Sequence, residues 1–274
     1  MFATSLSKVA FFFIAWAIIW LPIGVLVSRK IQCLPNRSLT TNQKLILLAT
    51  LYPIAPLILW WQTRFEGLSF LDFGLDWQLS LAASFSWGLM ISLAELAIVF
   101  GVEFKLDLIK WHWQNWQFLR ALFLPIFGLS LAISFVEELV FRGYVIRELT
   151  IDLPYWLAAT IASIIFALLH LVWERKQTIP QLPGLWLMGM VLTVAKIVDG
   201  GSIGLAWGLH TGWICGLTCI DSAQLLTYKQ EIVWITGVDR QPLAGIAGIM
   251  CLLATPVILW IPNAITDAVM QLLN

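Results

Sequence analysis

Residues 134–143 read Ser134-Phe135-Val136-Glu137-Glu138-Leu139-Val140-Phe141-Arg142-Gly143. They lie inside an apolar run from 119 to 149. Wound as a helix, that run is longer than the ~30 Å hydrocarbon core of a bilayer. A charged side chain at such a depth costs roughly 3 kcal/mol or more, so intramembrane charges are rare and mark functional sites by default. Here two carboxylates are adjacent, and an arginine follows the second by one helical turn.

The chain around this stretch has the same character. Of 274 residues, 60% are hydrophobic and 12% charged, and the mean hydropathy is +0.86. Apolar runs of about 20 residues recur along the whole length, each long enough to cross a bilayer. The fold class is therefore all-α, a polytopic transmembrane bundle of about eight membrane-spanning helices. They are expected near 9–27, 45–62, 79–101, 119–149, 154–173, 182–198, 202–220 and 243–262. The runs are continuous rather than alternating with period two, which argues against a barrel. The first run reads as a membrane helix and not a cleavable leader, since it is long and lacks a small-x-small exit.

Three parts follow: N-terminal membrane helices with an interfacial segment (1–118), a core holding the charged motif and two histidines (119–220), and a loop with the last helix (221–274). Phe104 to Trp116 mixes Lys105, Asp107 and Lys110 with Leu106, Ile109 and Trp113, the pattern of an amphipathic helix lying on the membrane surface. Many of the sixteen tryptophans, Trp60, Trp61, Trp77 and Trp260 among them, fall near predicted helix ends, as in an interfacial aromatic belt. The first loop carries Arg29, Lys30, Arg37 and Lys44 and no acid, so the positive-inside rule puts it in the cytoplasm. The bilayer is one partner; a net charge of zero points to no nucleic acid. Cys33, Cys215, Cys219 and Cys251 show no CxxC spacing and read as packing residues.

Depth brings the polar groups together. Measured from the shared end of their helices at 1.5 Å per residue, Glu137 lies about 18 Å in, His170 about 24 Å and His210 about 12 Å. All three fall in the middle band of the bilayer. Around the helix, Glu138 and Arg142 are an i,i+4 pair and can meet on one face. Glu137 points about 100° away and is left to face the histidines. A carboxylate and two imidazoles at one depth suit two mechanisms. They could hold a metal with an open site for water, or position water and an oxyanion with no metal. Both lead to hydrolysis of a carbonyl compound within the membrane. No GxSxG and no HExxH competes with this reading.

At these residues the chain resembles the CAAX protease and bacteriocin-processing family of intramembrane endopeptidases, the Abi or type II CAAX proteases. Glu137-Glu138-x-x-x-Arg142 matches the first motif, EExxxR. Phe166 to His170 matches the second, FxxxH. His210, after Gly201-Ser202-Ile203-Gly204, matches the histidine of the third. The resemblance covers roughly residues 119–220. It implies an endopeptidase in which Glu137 activates water, His170 helps bind that water or a metal, and His210 supports the oxyanion. Glu138, Arg142 and Phe166 become structural partners. The cofactor is either one divalent metal such as zinc, held by Glu137, His170 and His210, or none. The implied partner is a peptide or protein substrate at or in the membrane, with or without a lipid modification.

One position departs from the pattern. The third motif reads HxxxN or HxxxD, and here the fourth residue after His210 is Ile214. Isoleucine cannot donate to an oxyanion; Thr211, Cys215 or a water would have to substitute. The alternative reading is a non-catalytic membrane binding or scaffold protein that keeps the protease fold. A proton or ion relay is a third, disfavoured by the lack of an evident inverted repeat. Outside the motifs, Glu95 reads as a packing hydrogen-bonder, Lys196 and Asp199 as groups snorkelling to water, and His112 as interfacial.

Overall fold

The computed structural model describes residues 4–33, 39–229, 233–238 and 241–273. Helix α1 (Ser5–Lys30) starts from a Thr4 capping box and is tied at its first residue to the loop beyond the charged motif, where Asp152 accepts the Ser5 N–H at 2.6 Å. That bond holds the Asp152 carboxyl below the usual carboxylate range. The second membrane segment is broken into α2 (Thr41–Leu51) and α3 (Ile54–Glu66) at Tyr52-Pro53, since proline removes a backbone donor. Helix α4 (Leu79–Lys105) follows.

Among the described residues, six helical segments are long and apolar enough to cross a membrane: Ser5–Lys30, Asn42–Glu66, Leu79–Lys105, Trp113–Leu149, Tyr155–Trp173 and Arg175–Val198. The two remaining predicted spans also form helices. Near 202–220 is α10 (Gly204–Ser222), and near 243–262 is α12 (Ile246–Leu273). Neither is among the six; the apolar stretch of α12 is the shorter Ile246–Ile261. Leu26, Leu57, Leu124 and Ile98 are exposed on the outside of the bundle. Such an apolar coat faces lipid. The protein is a multi-pass integral membrane protein.

The central helix is not uniform. Helix α5 (Trp116–Glu138) passes into a π-helical turn at Leu139–Val145 and ends as α6 (Ile146–Leu149). A π-turn opens the i→i−4 ladder and frequently marks a functional site. Helix α7 (Tyr155–Leu169) stops at His170, where the chain continues as α8 (Leu171–Thr178). The sequence predicted one unbroken helix there. Helix α9 (Leu182–Val198) packs on α7, and the short α11 (Val233–Thr236) precedes α12.

Helix α10 is seated against α4 by glycines four residues apart, Gly204, Gly208 and Gly212. A Cβ on Gly208 would sit 2.0 Å from the Phe85 carbonyl, and one on Gly212 would sit 1.9 Å from Ser92 Oγ. This small-xxx-small contact lets the two backbones touch and fixes the position of His210 between those glycines.

Two expectations are corrected. Residues 104–116 do not form a surface helix. Asp107 takes a left-handed turn (φ 59), and Ile109–Trp111 is a strand, β1, paired antiparallel with β2 (Leu226–Tyr228). The β-branched and aromatic residues of both segments suit that ladder. Lys196 and Asp199 do not snorkel. Lys196 Nζ donates to the Arg142 carbonyl at 2.7 Å, and Asp199 accepts from Ser84 Oγ and from the Leu205 N–H in the first turn of α10. Arg37 lies outside the described residues.

Candidate active site

The end of α5 carries the two acids. Glu138 is fully buried, and its Oε1 accepts from Arg142 Nη1 at 3.0 Å, the i,i+4 pair. Arg142 is itself buried. It donates from Nη2 to the Gly189 carbonyl at 3.4 Å and lies 4.8 Å over the Phe166 ring. A buried ion pair needs such additional partners to offset desolvation.

The same Glu138 oxygen also meets His210 Nδ1, at 2.7 Å. The other nitrogen of that ring, Nε2, lies 3.5 Å from Glu137 Oε2. His210 therefore stands between the two carboxylates instead of facing Glu137 alone. Glu137 Oε1 accepts a hydrogen bond from the Tyr52 hydroxyl. A continuous chain results: Arg142, Glu138, His210, Glu137, Tyr52.

His170 enters from the α7–α8 break. The last carbonyls of a helix have no intrahelical donor, and His170 Nδ1 takes one of them, the Phe166 oxygen, at 2.8 Å. A carbonyl can only accept, so Nδ1 carries the hydrogen. The lone pair of the neutral ring is then on Nε2. Phe166 also stacks edge-on against both histidines, with centroids 4.7 Å from His170 and 6.0 Å from His210.

Glu137, His170, His210 and Tyr52 all line one cavity of about 450 Å³. A second cavity, about 250 Å³ and walled by Trp16, Trp20 and Phe141, shares Tyr52, Glu137 and His170 with the first. The acid and the kink histidine thus sit at the junction of two largely apolar chambers. Among the described residues, no group of three or more His, Cys, Asp or Glu side chains has the geometry to hold a metal ion.

Ile214 lines the larger cavity. The two proposed substitutes for its missing polar group are turned elsewhere: Thr211 bonds Ser134 at 2.6 Å and the Trp207 carbonyl, and Cys215 lies beside Cys219 in a separate apolar cluster. Glu95 is a packing hydrogen-bonder, accepting from Trp213 Nε1 and Thr255 Oγ1. Tyr52 was not singled out from the sequence; it comes from 85 residues away, and its only local signal is the proline that follows.

The site is a buried carboxylate–histidine centre inside a membrane-spanning helical bundle. Residues 109–215 match the family model described as Rce1-like, type II CAAX prenyl endopeptidase. That segment contains the first two motifs and the histidine of the third, and the resemblance to the CAAX protease family holds over it. No curated protein and no solved structure gives a significant match. Over residues 109–215 the chain is therefore similar to CAAX-type membrane proteases.

Proposed function

We propose that the protein is an intramembrane endopeptidase in which Glu137 activates water. The observation that carries this is the cavity shared by Glu137, His170 and His210. A water between Glu137 and His170 would donate one hydrogen to the carboxylate and the other to the lone pair of His170 Nε2. Its oxygen would then be aimed into the cavity, at the carbon of a peptide carbonyl. Glu137 takes the proton as general base and returns it to the leaving amine. His210 would donate from Nε2 to the tetrahedral oxyanion, and Glu138 with Arg142 holds the ring at that angle.

The proposed substrate is a peptide or protein segment reaching the site from the membrane or its surface. Apolar walls on both sides of Glu137 suit hydrophobic side chains or an attached lipid. A second reading, a non-catalytic binding protein with the protease fold, draws on Ile214, which puts a hydrocarbon side chain where the family pattern has a polar one. Membranes of cells making the wild type and Glu137→Ala separate the two. The protease reading expects at least one membrane protein to accumulate uncleaved in the variant. Identical proteomes would favour the binding reading.

A further inference from the structure

The wall of the larger cavity holds a third acid that the chemistry above does not use. Leu96, Val99, Phe100 and Glu103 of α4 all line it. Spacings of three and four residues put these side chains on a single helix face. Glu103 is 4% exposed, and its Oε2 has no hydrogen-bond partner. Among the described residues no lysine or arginine pairs with it. Glu95, two turns earlier on the same helix, is the contrast: both of its oxygens are bonded, by Trp213 and Thr255. Glu95 is therefore satisfied by the fold, whereas Glu103 is not. A buried carboxylate without a partner is unfavourable, and a cation from outside would supply the missing one.

Position supports the same conclusion. Lys44, Glu103, Gln181 and Gly248 all line the cavity. They belong to the first turn of α2, the last turn of α4, the α8–α9 junction and the first turn of α12. These turns mark one end of the bundle. Glu137 lies at the far end of α5 and His210 in the second turn of α10, which starts from the far end, so a segment entering at the near end meets Glu103 before Glu137.

We propose that Glu103 forms a subsite for a cationic group of the substrate, a lysine or arginine side chain or a free amine, between the mouth of the cavity and Glu137. This rests on the protease reading and deepens it, because it assigns a positive charge to one side of the bond to be cut. The rest of the wall asks for apolar neighbours around that charge.

The test is a binding measurement that needs no hydrolysis. The full chain carrying Glu137→Ala, in detergent, is titrated with fluorescein-labelled apolar dodecapeptides and read by anisotropy. A single lysine is stepped through the peptide and compared at each position with norleucine, which has the same carbon chain without the amine. At one or two positions lysine should bind about tenfold tighter, equivalent to ~1.4 kcal/mol. With Glu103→Gln added, or Glu103→Leu where the glutamine variant folds poorly, the order should reverse, since an apolar wall prefers norleucine. Norleucine preferred at every position, or a lysine preference surviving both substitutions, would overturn the proposal. If lysine is preferred but the wild type cleaves none of the peptides, the protease reading fails and the subsite stands. Cleavage by the wild type with no charge preference in binding overturns the subsite and leaves the protease reading standing.

Discussion

His210 Nδ1 lies 2.7 Å from Glu138 Oε1, across the gap between α10 and the end of α5. The second acid of the motif thus has two cations or potential cations on a single oxygen, since Arg142 reaches it as well. It does more than neutralise an arginine: it sets the angle at which His210 presents its other nitrogen to Glu137. Glu138 and Arg142 touch neither the water nor the substrate in this scheme, yet the geometry of the centre depends on them.

Removing one member of that pair should be worse than removing both. Arg142→Met leaves a buried carboxylate held only by His210, and loss of one partner of a buried pair costs about 3–5 kcal/mol. The double variant Glu138→Met with Arg142→Met removes the uncompensated charge. Folded yield and thermal melting in detergent should fall steeply for the single variant and recover in the double one, while activity stays lost in both. A single variant as stable as wild type would show that the pair has no structural role.

Tyr52→Phe deletes one hydroxyl and keeps the ring. A hydrogen bond to a charged group is worth about 1.5–3 kcal/mol, so kcat should drop roughly tenfold or more with KM little changed. Steady-state kinetics on a reporter peptide check this split. An unchanged kcat would mean that Tyr52 merely packs against Glu137.

The apolar helices were legible in the sequence because membrane insertion leaves a signal in every residue of a span. The Glu138–Arg142 contact was legible because it is local and follows from the helical repeat. What escaped is non-local. Tyr52 reaches Glu137 across 85 residues, and nothing in its own segment says which helix it faces. The pairing of Ile109–Trp111 with Leu226–Tyr228 is similarly remote, so local mixing of charges and aromatics read as an amphipathic helix. Lys196 and Asp199 stand at a helix end, where snorkelling is the ordinary outcome. Only the three-dimensional neighbours reveal the Arg142 carbonyl and the α10 N-terminus as their partners. Gly204, Gly208 and Gly212, which only the packing against α4 singles out, are what brings His210 to its place.

That seating can be tested on its own. Gly208→Ala puts a methyl 2.0 Å from a backbone carbonyl of α4, an atom that cannot swing aside. Overpacking of this kind costs about 1–3 kcal/mol, and pushing α10 outward should also separate His210 from the acids. Melting temperature and cleavage rate should both fall. Gly128→Ala, where a Cβ meets nothing within 4 Å, is the control and should melt like wild type.

Ile214→Asn restores a donor on the face of α10 that carries His210. Because Ile214 lines the cavity, the new amide would meet the cavity instead of being sealed in the core. One well-aimed oxyanion donor lowers a barrier by about 3 kcal/mol, so cleavage should rise by up to roughly a hundredfold. A folded Asn variant with no gain would show that the oxyanion forms elsewhere.

Activation of water by Glu137 is tested by a single comparison, cleavage of a reporter peptide by the full chain in liposomes, wild type against Glu137→Gln, with both proteins matched for folded yield. The amide keeps the shape and the Tyr52 contact but cannot take a proton. Cleavage by the wild type, with a fall of at least about a hundredfold in the variant, is the predicted result. Equal rates in the two proteins, or no cleavage by either above a protein-free liposome control, would contradict it.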